Sequence, residues 1–144
     1  MDHNFIWTDQ SIKRNQLTRA YEPVQPHLFI ELLRAHRCRV VFDIGANIGY
    51  YALASTSAEC VEEIFAFEAA PETFKHLERN CRLNRLDTQI SCYNRAVSDN
   101  HGTVDFCLHG EDLSGINSVR STTFHDGSHF ISTVGVETLV IDDD

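Results

Sequence analysis

The chain has 144 residues, of which 42% are hydrophobic and 23% charged, as expected for a single soluble globular domain. Its formal net charge of −9 argues against a surface for nucleic-acid phosphates, and five scattered cysteines without a C-x-x-C pair argue against a disulfide framework or a zinc site. Because no apolar run approaches the ~20 residues of a membrane span and the N-terminus lacks a signal-peptide pattern, we expect a cytoplasmic protein with no nucleic acid and no membrane among its partners.

The first 20 residues are polar with isolated apolar side chains, so we predict an N-terminal arm over residues 1–20 and one domain over residues 21–144. After Pro26, apolar residues recur at helical spacing, which predicts an amphipathic helix over residues 26–37. Tyr21 and Glu22 lie just before this helix, and for both we favour surface packing over contact with a ligand.

A buried strand, a glycine turn and a short helix follow in residues 40–54, the layout of a nucleotide-binding first βα unit. The turn reads Asp43-x-Gly45-x-Asn47-x-Gly49 rather than G-x-G-x-x-G. A carboxylate two residues before the first glycine would repel a pyrophosphate, whereas it favours a ligand with a positive amino group. The alternative is a structural turn in which Asp43 caps backbone amides.

A second acid, Glu68, ends the next predicted strand over residues 63–68, and it lies 19 residues after Gly49. A carboxylate at this position accepts two O–H donors at once and is placed to bind both ribose hydroxyls. The alternative is an exposed acid at a strand end. The two acids together predict a site for a cationic adenosyl ligand.

The remaining pattern predicts a helix over residues 71–83, opened by Pro71, and strands over residues 89–94, 102–108 and 134–141. Asn80 and Asn84 share one face of this helix, where they either tie down the strand-end loops or face solvent. The connection over residues 109–133 is either a lid or a mobile loop. We expect no metal site, because the loop histidines lack convergent spacing.

The chain resembles the FkbM family of S-adenosylmethionine-dependent methyltransferases. Three segments carry the resemblance: FDIGANIGYYAL, FAFEAAPETFKHLERNCRLN and NRAVSDNHGTVDF. The resemblance implies an α/β fold of the Rossmann-like class I methyltransferase type and S-adenosylmethionine as the cofactor. It further implies a methionine end lined by Asp43, Gly45, Asn47 and Gly49, a ribose held by Glu68, and an adenine flanked by Ala69 and Ala96.

The family's next strand, with an Asp-Val-Glu-Gly signature, does not occur in the sequence. We therefore expect an incomplete fold, with the first three parallel strands, their flanking helices and an added strand pair, and a truncated chain whose catalytic residues are unknown and whose turnover is in doubt. The first strand would be an apolar edge open to self-association.

The expected reaction is transfer of a methyl group to an oxygen or nitrogen of a small-molecule or protein acceptor. Two alternatives stay open: a different Rossmann-like enzyme that binds NAD, and a non-catalytic interaction module.

Overall fold

Two β-sheets and three helices make up the part of the chain that the computed structural model describes, namely residues 5–8, 24–108, 118–119 and 132–142. The helices are α1 (Gln25–His36), α2 (Tyr50–Ser55) and α3 (Pro71–Leu83). The strands are β1 (Val40–Ile44), β2 (Glu63–Phe67), β3 (Ile90–Tyr93), β4 (Ala96–Val97), β5 (Gly102–Leu108), β6 (Ser118–Val119) and β7 (Ser132–Leu139). Within these ranges, no helix is long and apolar enough to cross a bilayer.

The first sheet is parallel, with the order β1-β2-β3, and the register aligns Val41 with Ile64 and Ile64 with Ile90. These three residues lie on one face of the sheet, where they join a buried core with apolar side chains of all three helices, including Leu33, Leu53 and Leu77. Burial on this face explains every second apolar residue of these strands, whereas β1, predicted as a buried strand, has Val40, Phe42 and Ile44 exposed on the opposite face. The predicted α/β architecture with three parallel strands and flanking helices is confirmed.

The opposite face of this sheet carries a row of stacked aromatic rings. Phe42 stacks on Phe65 at a centroid distance of 5.2 Å, and Phe67 stacks on Tyr93 at 5.0 Å. Phe42 is 49% exposed, and among the described strands β1 pairs with β2 alone. The first strand is therefore an apolar edge, as predicted, while the self-association expected from it stays a prediction.

The second sheet has the order β4-β7-β5-β6. β5 and β7 form the predicted strand pair, which is antiparallel and runs from Gly102 opposite Thr138 to Leu108 opposite Ser132, and β4 adds to β7 in parallel. A small core of Ala69, Ala70, Ala96, Phe106 and Val136 lies under this sheet. Since Ala69 and Ala70 directly follow β2, the second sheet packs beside the carboxyl end of the first.

The element boundaries agree with the sequence predictions to within about two residues, but β4 and β6 were not predicted. Both are two-residue strands that exist only through pairing with distant residues, so neither carries a local pattern. Of the predicted arm, residues 5–8 are described and pack on the domain. Tyr21, Glu22 and nearly all of the 109–133 connection lie outside the described residues.

Candidate functional site

The glycine turn after β1 is fixed to the end of β2 by backbone hydrogen bonds. The N–H groups of Gly45 and Ala46 both donate to the Phe67 carbonyl at 2.9 Å. Three residues of the turn adopt left-handed backbone conformations, with φ of 78° at Gly45, 52° at Asn47 and 92° at Gly49. Glycine and asparagine tolerate this region best, which explains the alternating G-x-N-x-G pattern.

The two glycines of the turn serve different purposes. A Cβ at Gly49 would lie 2.7 Å from Leu77 Cδ1, so Gly49 is required for close packing of the turn against α3. A Cβ at Gly45 would have no described atom within 4 Å. The space beside Gly45 is therefore open to a ligand that approaches the backbone.

Asp43 is a largely buried acid whose carboxylate is only partly satisfied. Burial raises the pKa of the Asp43 carboxyl to about 6, and the hydrogen bond from the Ala52 backbone N–H offsets a part of this rise. Its Oδ2 atom has no hydrogen-bond partner among the described residues, and the same holds for the buried Oδ1 atom of Asn47. Both orphaned atoms are acceptors, so the site lacks hydrogen-bond donors that a ligand can supply.

Glu68 is buried, with 6% of its surface exposed, which excludes the alternative of a solvated strand-end acid. Its Oε2 atom accepts the Asn47 backbone N–H at 2.8 Å, and its Oε1 atom accepts the Ala70 backbone N–H at 2.8 Å. Glu68 thus contacts the turn between β1 and α2, whereas the Asp43 carboxyl contacts α2 at Ala52. The carboxylate of Glu68 also connects this turn to the start of α3.

A polar side chain that the sequence reasoning missed supports the same region. Asn94, which follows β3, donates from Nδ2 to the carbonyls of Glu68 at 2.8 Å and Ala69 at 3.0 Å. Its position as the last residue of a predicted strand was the available signal, because the carboxyl ends of parallel strands meet at one edge of a sheet. Asn94 fixes the backbone that carries Glu68.

The structure brings the predicted turn residues and Glu68 together at the carboxyl ends of β1 and β2. Ala69 and Ala96 lie in the small core under the second sheet, and both are buried. On the other side of Asp43, a cavity of about 430 Å³ opens along the free edge of β1. The residues lining this cavity are Phe29, Val41, Phe42, Asp43, Ile44 and Tyr51.

Chemically, this arrangement suits a ligand with a cationic amino group. Such a group supplies N–H donors to the orphaned oxygens and a positive charge to the Asp43 carboxylate. Gly45 leaves the backbone accessible beside them. Within the described ranges, no cluster of three or more histidine, cysteine or acidic side chains is placed to hold a metal ion.

Curated relatives of the chain are similar over less than half of its length. A tRNA (guanine(37)-N(1))-methyltransferase of Mus musculus is 34% identical over 60 residues, which are 42% of this chain and 12% of the relative. The protein of the same name from Macaca mulatta is 36% identical over 64 residues, covering 44% and 12%. The chain therefore spans about one eighth of the length of these relatives.

Among solved structures, a crystal structure of PRMT6 with SAH is similar with a TM-score of 0.50 and 22% identity, over 61% of this chain and 25% of that one. This likeness concerns the fold, and with the observed parallel sheet and helices it supports the predicted Rossmann-like class I methyltransferase architecture.

The expectation that no nucleic acid is involved is wrong, because the curated relatives are named as tRNA methyltransferases. That expectation rested on the net charge of −9. Net charge sums over a whole chain and does not describe the surface around one nucleotide, so it was unable to exclude such a partner.

The predicted dependence on S-adenosylmethionine is confirmed at the level of the enzyme class, whereas the FkbM family itself is not supported. The family model that matches is described as the TRM5/TYW2 methyltransferase domain, and it covers residues 32–109. Since these residues are more than half of the sequence, the chain belongs to the TRM5/TYW2 family of S-adenosylmethionine-dependent methyltransferase domains.

Proposed function

We propose that this chain provides the cofactor-binding part of a tRNA methyltransferase that acts on a guanine base. Two findings support the proposal: membership of the TRM5/TYW2 family, and 34–36% identity to proteins named for methylation of guanine N1 in tRNA. The identity covers 12% of those relatives, so the acceptor is carried over as a proposal together with the activity.

The observation that carries the cofactor assignment is the pair of orphaned acceptors at the glycine turn. We place the α-ammonium group of S-adenosylmethionine against Asp43 Oδ2 and Asn47 Oδ1, which are buried and lack partners within the described residues. The open space at Gly45 leaves room for the methionine end of the cofactor. Gly49 holds the turn in this shape through its packing against Leu77.

Glu68 is proposed to hold the ribose. Its carboxylate oxygens accept the backbone N–H groups of Asn47 and Ala70, and a carboxylate is an acceptor for more than two donors, which suits the ribose hydroxyls. Ala69 and Ala96 follow β2 and β3, so the adenine would lie against small side chains there. The roles of all these residues remain proposals.

When bound, S-adenosylmethionine supplies a methyl group on a positively charged sulfur. The contribution of this chain is to bind and orient, because its site residues hold fixed positions on strand ends and a hydrogen-bonded turn. Orientation of reactants alone lowers a barrier by several kcal/mol. The ionised Asp43 carboxylate, whose pKa is raised by burial, also offsets the positive charge of the ligand.

Calorimetric titration with S-adenosylhomocysteine tests the cofactor assignment. We expect one binding site per chain and, in Asp43→Asn, an affinity lower by about tenfold or more, because a charge-assisted hydrogen bond is lost. NADH is the comparison ligand. Binding of NADH without binding of S-adenosylhomocysteine would contradict the proposal.

Transfer of labelled methyl groups tests the acceptor. The chain is incubated with methyl-labelled S-adenosylmethionine and two tRNA transcripts that differ only in guanine or adenine at position 37. Label on the guanine transcript alone is the expected result. Equal labelling of both transcripts contradicts the substrate assignment and leaves the cofactor assignment to be decided by the titration.

A further inference from the structure

A single buried side chain on α3 joins the glycine turn to the N-terminal segment. Asn80 is fully buried, and its Nδ2 atom donates to the Ile48 carbonyl at 2.9 Å. Its Oδ1 atom accepts the Thr8 backbone N–H at 3.2 Å. The donor and the acceptor of one amide are therefore used on two different parts of the chain.

Residues 5–8, which we call the docked segment, are held by further contacts. Asn84, one helical turn after Asn80, accepts the Ile6 backbone N–H and donates to the Ile6 carbonyl, both at 2.8 Å. The ring of Trp7 stacks on Tyr50 at a centroid distance of 5.9 Å and an angle of 20°. Because Tyr50 is the first residue of α2, the docked segment covers the point where the glycine turn ends.

The carbonyl that Asn80 binds belongs to the most constrained part of the turn. Ile48 lies between Asn47 and Gly49, which both have positive φ. A left-handed asparagine is unfavourable without support, and a hydrogen bond to the next peptide group supplies such support. The same Asn47 carries an orphaned acceptor and donates its backbone N–H to Glu68, so its orientation affects both ends of the candidate site.

We propose that Asn80 is a positioning residue for cofactor binding and that the docked segment locks it in place. This inference rests on the proposed function of the glycine turn as the cofactor site. Asn80 does not contact the cofactor; it holds the Ile48 peptide so that the Asn47 side chain points toward the ligand. Docking of residues 5–8 orients the Asn80 amide, so that the N-terminal segment tunes affinity from outside the site.

The chain offers a control, because Asn84 directly follows α3 and the side-chain hydrogen bonds described for it go to Ile6 and to the Asn80 carbonyl rather than to the turn. The test compares Asn80→Ser with Asn84→Ser, the same chemical change one helical turn apart. Amide hydrogen exchange of residues 45–49 is measured in the free protein, and the dissociation constant of S-adenosylhomocysteine is measured by calorimetry.

For Asn80→Ser we expect exchange of the turn amides to accelerate by about tenfold and the dissociation constant to rise by about tenfold, because a buried carbonyl loses its donor. For Asn84→Ser we expect both quantities to stay within about twofold of the wild type, because the turn keeps its hydrogen bond. A merely structural Asn80 would lower the global stability of the fold and leave the affinity of the folded protein unchanged, and this result would overturn the proposal.

Two further measurements distinguish failure of the positioning role of Asn80 from failure of the proposed cofactor site. If the wild type does not bind S-adenosylhomocysteine, the proposed function fails, while faster exchange confined to the turn in Asn80→Ser still supports the positioning role. If Asn80→Ser does not fold, Thr8→Pro removes the N–H that Asn80 accepts, and Ile6→Pro is its control. Turn exchange at the wild-type rate in Thr8→Pro would exclude a lock by the docked segment, whatever its rate in Ile6→Pro.

Discussion

At the scale of single residues, Glu68 shows how one carboxylate organises two loops. It is buried and accepts backbone N–H groups from the turn after β1 and from the start of α3. Charge-assisted hydrogen bonds of this kind are stronger than neutral ones. The acid at this position therefore stabilises the fold of the site in addition to its proposed role in binding ribose.

Replacement of Glu68 by Gln is expected to lower the free energy of unfolding by about 1–3 kcal/mol. The reason is that the amide NH₂ of Gln would face one of the two backbone N–H donors and leave it unsatisfied. Urea unfolding measures the change. Glu72→Gln is the control, because Glu72 is exposed and pairs only with Lys75 at the surface; an equal loss in the two variants would contradict the account.

The residue types of the site were readable from sequence, but their contacts were not. Spacing alone placed Asp43 and Glu68 at the ends of neighbouring strands, and the structure agrees. That Glu68 accepts the Asn47 N–H depends on the left-handed conformation of Asn47, which is set by the folded turn. Asn80 was visible as one of two asparagines on a helix face, yet its partner Ile48 lies 32 residues away.

At the scale of elements, the glycine turn requires glycine for two reasons, a left-handed backbone and close packing against α3. Gly45 and Gly49 both have positive φ, but only Gly49 lies against α3. An L-residue in this conformation costs about 1–2 kcal/mol, and a methyl group forced into a packed contact costs a further 1–3 kcal/mol, roughly. The two positions therefore separate the effects of strain and of packing.

Gly49→Ala is expected to lower the free energy of unfolding by about 2–5 kcal/mol, since its Cβ would meet Leu77 Cδ1 at 2.7 Å. Gly45→Ala is expected to cost only about 1–2 kcal/mol. The order reverses for affinity, because the methyl group of Gly45→Ala fills open space at the proposed ligand site. Thermal unfolding measures the stability of the two variants, and calorimetry measures their affinity for S-adenosylhomocysteine. Unchanged affinity in Gly45→Ala would show that Gly45 does not line the ligand site.

Elements with a strong local pattern were predicted well. α3 begins at Pro71, as predicted, because proline suits the first helical turn and the apolar face follows at once. β5 and β7 were predicted as strands, but their union with β4 and β6 into a second sheet was not. Residues 96–97 pair with residues 138–139, and no local sequence signal encodes a partner so distant.

At the scale of the whole molecule, the site lies where the two sheets meet. The first sheet supplies the strand ends, and the core under the second sheet begins at Ala69, directly after Glu68. Net charge failed as a predictor at this scale, since we used it to exclude a nucleic-acid partner although the matched relatives are named as tRNA methyltransferases. Net charge does not say where on the surface the charges lie, whereas recognition of a partner depends on the charges at the binding site.

Asp43 makes the stability of the free protein depend on pH. Burial raises its pKa to about 6, so the folded state binds a proton that the unfolded state releases at lower pH. Stability from this group is fully present below the unfolded value near 4 and is lost as pH rises through about 6. The shift corresponds to about 3 kcal/mol.

Comparison with Asp43→Asn isolates this effect from the other titrating groups. Relative to the variant, the wild type is expected to lose up to about 3 kcal/mol of unfolding free energy between pH 4 and pH 7. Urea unfolding across this range measures the difference between the two curves. Parallel curves would mean that the carboxylate is solvated or already paired.

The same proton governs the predicted pH dependence of ligand binding, with the opposite sign. A cationic amino group binds the ionised carboxylate, so the ligand must displace the proton of Asp43 at low pH. Affinity for S-adenosylhomocysteine is therefore expected to be constant above pH 7 and to fall below pH 6, with a limiting slope of about tenfold per pH unit. In Asp43→Asn the affinity is weaker and this dependence disappears. Calorimetric titrations between pH 5 and pH 8 measure both profiles. If the affinity of the wild type has the same pH dependence as that of the variant, Asp43 does not bind the ligand, and the central contact of the proposed site is wrong.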